Sequence, residues 1–180
     1  MIDAGRLSAA TVLDPDGASV RLGSLWEDRP AVVVWLRHFG CLFCKEQTAE
    51  FRARGDEIER RGARVVFLGN GSTRYAAGFR DEFCPECTVV TDPELITYRL
   101  IGARGGLVNT LGPQAWAAGI RAFRRGARQQ TTQGHPFQQG GVLVVAPGNE
   151  IRYRYISKAA GDHPAVDEVL AAISGTPSLR

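Results

Sequence analysis

The sequence predicts an α/β protein with a central mixed sheet, parallel at first and antiparallel at its end, flanked by helices. Three observations carry that expectation. Apolar runs at 31–36, 63–68 and 88–91 are short, nearly continuous and rich in Val, as in strands covered on both faces. Stretches with a helical period alternate with them. A last pair of β-prone runs, 141–146 and 152–156, then meets across Pro147-Gly148-Asn149, and a helical stretch at 163–173 follows.

Residues 11–23, TVLDPDGASVRLG, read as a β-hairpin, because two β-prone runs flank the turn sequence Asp14-Pro15-Asp16-Gly17. Residues 24–26 lead toward Pro30 as one helical turn, and 31–36 is the first buried strand. After Cys41 the period changes. Cys44, Thr48, Phe51, Gly55 and Ile58 recur at spacings of four and three, so 42–61 reads as one amphipathic helix ended by Gly62. The strand 63–68 leads through Gly69-Asn70-Gly71 to Ser72, a helix cap, and to a helix at 73–83. Beyond the strand 88–91, Asp92-Pro93-Glu94 supplies a cap, a first-turn proline and a first-turn acid for a helix ending near Gly102. Residues 103–140, rich in Gly and Gln, read as an insertion with one helix at about 113–125. Neither an internal repeat nor a second domain is visible, so 1–180 is expected to be one domain. The order of elements is that of a thioredoxin fold carrying an N-terminal β-hairpin and an insertion near 103–140.

With 44% hydrophobic and 23% charged residues, the composition is that of a soluble globular chain. A formal charge of +3 gives no reason to expect nucleic acid as a partner. The one basic cluster, Arg121, Arg124, Arg125 and Arg128, reads either as a solvated helix end or as a site for an acidic substrate. No apolar run approaches the roughly 20 residues that span a bilayer, so no membrane partner is expected. The first ten residues lack the charged start and apolar stretch of a secretory signal, so the expected location is cytoplasmic. Lasting structural disulfides are uncommon in that compartment. Four cysteines in two C-x-x-C pairs then suggest metal or catalysis.

Cys41 stands where a strand ends and a helix begins. The unpaired N–H groups there favour an anion, lower the pKa of a thiol and so make a nucleophile of it. Cys44 lies one helical turn on, on the same face, within reach to close a disulfide with an oxidised Cys41. Two other readings stay open. Cys41, Cys44, Cys84 and Cys87 would make a zinc site, although the gap between the pairs is far longer than in a zinc ribbon. The first pair would otherwise be two inert core thiols.

The stretch "RLGSLWEDRPAVVVWLRHFGCLFCKEQ" resembles the peroxiredoxin-like family of the AhpC/TSA thioredoxin-fold proteins, the branch that includes the prostamide/prostaglandin F synthases. That family shows a basic pair, Phe-Gly-Cys-x-x-Cys and a further basic residue, here Arg37-His38-Phe39-Gly40-Cys41-Leu42-Phe43-Cys44-Lys45. Residues 138–163 resemble its second signature, a Gly-Gly pair opening a strand and a later Gly-Asp. His38 departs from the Arg common in the synthases, and 103–140 carries little that matches. The resemblance implies an enzyme that reduces the O–O bond of a small-molecule peroxide or endoperoxide. Such an enzyme binds no cofactor and takes its reducing equivalents from thioredoxin or another dithiol system fed by NADPH. A thiolate attacks one oxygen and becomes a sulfenic acid, and the second thiol condenses with it. Placed as in thioredoxins, Cys41 attacks and Cys44 resolves. Aligned on the Thr or Ser that precedes the peroxidatic cysteine of typical peroxiredoxins, Cys44 attacks instead. Exposure at the helix start favours Cys41.

Four positions are expected to support the pair. The strand beginning at Gly141 should run antiparallel beside the one ending near Phe39, which brings Gln139 and Gly140 next to Cys41; Gly140 would let backbone approach the substrate, or simply make a tight turn. Arg37 would stabilise a thiolate and His38 would shuttle a proton, but alternation along a strand lets at most one of them help. His135 is a weaker candidate. Cys84 and Cys87 precede a strand and should lie at the opposite sheet edge from Cys41, with a local disulfide, an independent thiol relay and plain packing all open. Two rival functions remain beside the peroxidase: a protein disulfide reductase or relay, and a non-catalytic redox sensor or partner-binding module. The expected state is a monomer or weak dimer.

Overall fold

A computed structural model describes residues 2–103, 105, 135, 137–175 and 178–179. The expected helix at 113–125 and the Arg cluster at 121–128 lie outside the described residues. Among those described, eight strands form one sheet in the order β2-β1-β5-β4-β3-β6-β7-β8. The centre is β3 (Ala31–Trp35), parallel to β4 (Arg64–Gly69), which is parallel to β5 (Thr88–Thr91). On the other side β3 pairs antiparallel with β6 (Gly141–Ala146), and β6 with β7 (Glu150–Ile156). The mixed, thioredoxin-like sheet follows the predicted order.

The N-terminal hairpin joins β1 (Thr11–Leu13) and β2 (Ser19–Arg21) and docks on β5 through Leu13 opposite Thr91. Its turn is built as the sequence implies. The Asp14 carboxylate accepts the Asp16 and Ala18 N–H groups at 2.9 and 2.8 Å, and Gly17 takes the positive φ of +90° that a side chain would oppose. Two short elements lacked a pattern of their own: α1 (Ala4–Ala9), capped by Asp3, and β8 (Ser178–Leu179), parallel to β7.

Three expected helices have different bounds. The stretch 42–61 is broken into α2 (Leu42–Ala53) and α3 (Gly55–Arg60). Arg54 sits between them at φ −110°, ψ 11°, where Gly55 favours no helix and the Arg54 guanidinium is held by Glu57 and Asp167. Helix α4 (Thr73–Phe83) is where its period placed it, but α5 (Ile96–Ile101) begins later than the Asp-Pro-Glu signal suggests. Leu95 adopts a left-handed conformation, φ 58°, and Asp92 caps from five residues away: its carboxylate accepts both the N–H and the hydroxyl of Thr97, at 2.6 and 2.7 Å. The last helix, α6 (Val166–Ser174), starts three residues after the expected 163, with Ala165 as its N-cap.

Alternation along the central strands sorts the core into two layers. Val32 and Val34 face α2, α3, α4 and α6 with Phe51, Phe67, Phe79 and Ile173, whereas Val33 and Trp35 face α1 and α5 with Leu7, Trp26, Tyr98 and Ile101. Both faces being covered explains why these strands read as continuous apolar runs. Where the parallel strands end, Phe39 presses against Gly69 so closely that a Cβ there would lie 2.3 Å from its ring. No helix of the described residues is long and apolar enough to cross a membrane.

Candidate active site

The site forms where β3 runs out and α2 starts. Leu36 still pairs with β4, its N–H donating to the Leu68 carbonyl at 2.7 Å, and the Tyr98 hydroxyl lies 2.6 Å from the Leu36 carbonyl oxygen and 3.1 Å from that of Leu68. The next carbonyl, of Arg37, accepts a hydrogen bond from the Asn70 side-chain amide. The chain then bends through Phe39 and Gly40, and Cys41 becomes the N-cap of α2, with φ −74° and ψ 126°.

Three groups converge on the two sulfurs. The Arg37 guanidinium donates to Cys41 Sγ at 3.7 Å, a long contact, while its Nε–H donates to the Gln138 carbonyl at 3.2 Å, which fixes the side chain. The Arg37 backbone N–H donates to Cys44 Sγ at 3.2 Å. Between the thiols themselves runs a hydrogen bond in which Cys44 donates to Cys41. That bond is the main reason the Cys41 pKa is lowered to about 6. Burial opposes the shift, and the Arg37 charge and the N–H groups of Cys44 and Phe43 reinforce it. Cys44 moves the other way. Burial pushes its thiol well up, and hydrogen bonding to Cys41 and the Cys41 charge add to this. One sulfur is thus an anion near neutral pH and its neighbour keeps its proton.

Both cysteines are only 2% exposed, which corrects the expectation that Cys41 stands open at the helix start. The bend that carries Phe39 and Gly40 over the end of β3 folds the chain down onto α2, and Cys41 and Cys44 join the apolar layer with Leu36, Phe39 and Phe51. They are not inert core thiols in a purely hydrocarbon setting, since the 7% exposed Arg37 lies against them. A narrow crevice of about 10 Å³ reaches Cys44 between Phe43, Gln47, Gly140 and His163, roughly the space of one water.

The other expected residues fall around this centre in distinct ways. His38 is 4% exposed and its Nδ1 has no partner among the described residues; burial, and then the Arg37 charge, lower its pKa to about 4, so it is neutral at pH 7. Gln139 is 1% exposed, and neither atom of its side-chain amide has a partner among the described residues. Gly140 lies against β3: a Cβ there would come within 2.1 Å of the Trp35 carbonyl oxygen. His135 is exposed, and its N–H donates to the Asn70 side chain at 2.7 Å. Sequence reasoning missed Asn70, Gln138 and Tyr98 as supports. Asn70 had a usable signal, because parallel strands end at the same sheet edge and it follows β4 directly.

The second pair is a disulfide, Cys84–Cys87, in the turn after α4. It lies beside the far end of α2, where Arg52 pairs with Glu86 at 2.9 Å; eleven residues of helical rise separate that point from Cys41, about 16 Å. Among the described residues Cys84 and Cys87 cluster with Glu86 and not with Cys41 or Cys44, and they are bonded to each other, so the four cysteines do not form one zinc site.

A thioredoxin-like sheet with a thiolate and a protonated thiol on the first turn of the helix after β3 defines a thiol oxidoreductase of the peroxiredoxin-like class. Residues 50–159 match the model of the family described as AhpC/TSA antioxidant enzyme, and the chain belongs to that family. The chain is 33% identical over 178 residues to the Arabidopsis thaliana protein named thioredoxin-like protein AAED1, chloroplastic, covering 94% of this chain and 72% of that one. It is 28% identical to the prostamide/prostaglandin F synthase of Salmo salar, over 91% of this chain and 84% of the other. Among solved structures, peroxidoxin BcpB from Mycobacterium tuberculosis shares the fold, with a TM-score of 0.67 at 16% identity over 91% of this chain and 90% of its own. The family match begins beyond Cys41 and Cys44, so their roles rest on the geometry above.

Proposed function

We propose that the chain reduces the O–O bond of a hydroperoxide or endoperoxide, with Cys41 as nucleophile, Cys44 as resolving thiol and a thioredoxin-type dithiol as electron donor. One observation carries the assignment of roles: Arg37 and the Cys44 thiol both donate to Cys41 Sγ, which holds it as a thiolate while Cys44 stays protonated. The thiolate attacks one peroxide oxygen, an S–O bond forms, the O–O bond breaks, and the departing oxygen takes a proton and leaves as alcohol or water. Cys44 then displaces hydroxide from the Cys41 sulfenic acid, closing a disulfide with loss of water. With a cyclic endoperoxide the departing oxygen stays on the substrate, and Cys44 displaces the second oxygen to give a diol. Two electrons from an outside dithiol reopen the disulfide, and no prosthetic group is needed.

Stopped-flow mixing of the reduced protein with hydrogen peroxide and with an organic endoperoxide tests this. Wild type should form an internal disulfide faster than free cysteine is oxidised, Cys44→Ser should stop at a Cys41 sulfenic acid, and Cys41→Ser should be unreactive. A second assignment, with Cys44 attacking and Cys41 resolving, is favoured by the crevice that reaches Cys44. It predicts the reverse: a sulfenic acid trapped in Cys41→Ser. Reaction no faster than free cysteine with either oxidant would leave a redox-sensing role in place of catalysis.

A further inference from the structure

The turn Cys84-Pro85-Glu86-Cys87 holds a disulfide that the chemistry at Cys41 does not use. Its two halves differ sharply in access. Cys84 is 0% exposed and belongs to the apolar layer, whereas Cys87 is partly exposed and lines a cavity of about 270 Å³ among α2, α3 and the starts of β4 and β5. Both charges line that cavity: the guanidiniums of Arg29, Arg52 and Arg64 and the carboxylates of Asp56, Glu59 and Glu86. Arg52 pairs with Glu86 at 2.9 Å and Arg29 with Glu59 at 3.9 Å, all on exposed side chains. Such surface pairs are weak and exchange partners readily.

We propose that Cys84–Cys87 is a second redox site, opened by a small zwitterionic thiol that enters this cavity and attacks Cys87. The thiolate forms a bond to Cys87 Sγ, the Cys84–Cys87 bond breaks, and Cys84 departs as thiolate and takes a proton from water. A second molecule of the thiol attacks the mixed disulfide at its own sulfur, releasing oxidised thiol and free Cys87. Two thiols thus supply the two electrons that reduce one disulfide. Access selects the sulfur, since an external nucleophile meets Cys87 and not the enclosed Cys84. The cavity volume suits an amino-acid-derived thiol and excludes the folded body of a protein donor. The mixed charges of its wall suit a ligand with both ammonium and carboxylate groups.

The test uses glutathione, with peptide mapping by mass spectrometry to separate these sulfurs from Cys41 and Cys44. In Cys84→Ser protein, glutathione disulfide should add one tripeptide to Cys87 at least about tenfold faster than it adds to Cys84 in Cys87→Ser protein. Relative to their rates with free cysteine, it should also outpace the uncharged bis(2-hydroxyethyl) disulfide at Cys87. In the unaltered chain, differential alkylation should show the Cys84–Cys87 bond opening in reduced glutathione, a readout that needs no variant. Equal rates at the two cysteines or with the two disulfides would overturn the proposal. So would opening by thioredoxin but not by glutathione, or zinc bound by Cys84, Glu86 and Cys87 in place of the bond.

Discussion

After the Cys44 hydrogen bond, the charge of Arg37 is what most favours the Cys41 thiolate, and its guanidinium donates to Cys41 Sγ. Arg37→Met should raise the Cys41 pKa from about 6 and cut the rate of peroxide reaction at pH 6, by about fivefold for the first pH unit of displacement and about tenfold for each further one. The check is the pH dependence of iodoacetamide alkylation, whose midpoint should climb in the variant. In the unaltered chain, activity should fall as the pH drops through 6, where the thiolate takes up its proton. His38 acts on stability with its own sign. Folded, it stays neutral down to about pH 4, but unfolded it binds a proton below its ordinary value of 6.5. Between those values the unfolded chain binds more protons, so stability rises with pH across that window and is lost on acidification, by about 3 kcal/mol at most. His38→Leu should flatten that part of a urea-denaturation series taken at different pH values.

At the scale of elements, the start of α5 couples the far layer of the core to the site. Asp92 holds the N–H and hydroxyl of Thr97, and Thr97 accepts the indole N–H of Trp35 at 3.0 Å, all of them buried. Asp92→Ala removes a cap and leaves buried donors unpaired, so it should cost about 2 kcal/mol in urea unfolding. The Gly140 contact makes a sharper demand. A Cβ 2.1 Å from the Trp35 carbonyl oxygen must push β6 away from β3, so Gly140→Ala should cost about 1–3 kcal/mol. Because Gln138, two residues earlier, anchors the Arg37 side chain, the same variant should also slow peroxide reaction. The elements were largely legible in the sequence where period or turn chemistry spoke locally, as at Asp14-Pro15-Asp16-Gly17 and along α4. They were not where a long-range partner decides: Arg54 breaks the α2–α3 stretch with help from Asp167, and β8 exists only as an edge paired to β7. The site divides the same way. The C-x-x-C spacing announced Cys41 and Cys44, but their burial comes from the path of the chain over β3, which no local pattern encodes.

Across the whole molecule, the sheet order separates two sulfur pairs along one helix, with a thiolate at the N-terminal end of α2 and a closed disulfide beside its other end. Reducing the disulfide alone should leave the Cys41 alkylation rate at pH 7 within about twofold, since charge effects fade over a helix length in salt solution. The same order sets what borders the sheet. Among the described residues its outermost strands, β2 and β8, are three and two residues long. Strands that brief offer an arriving polypeptide only a few open backbone groups to zip onto, so lateral growth into a fibril finds no template at either margin.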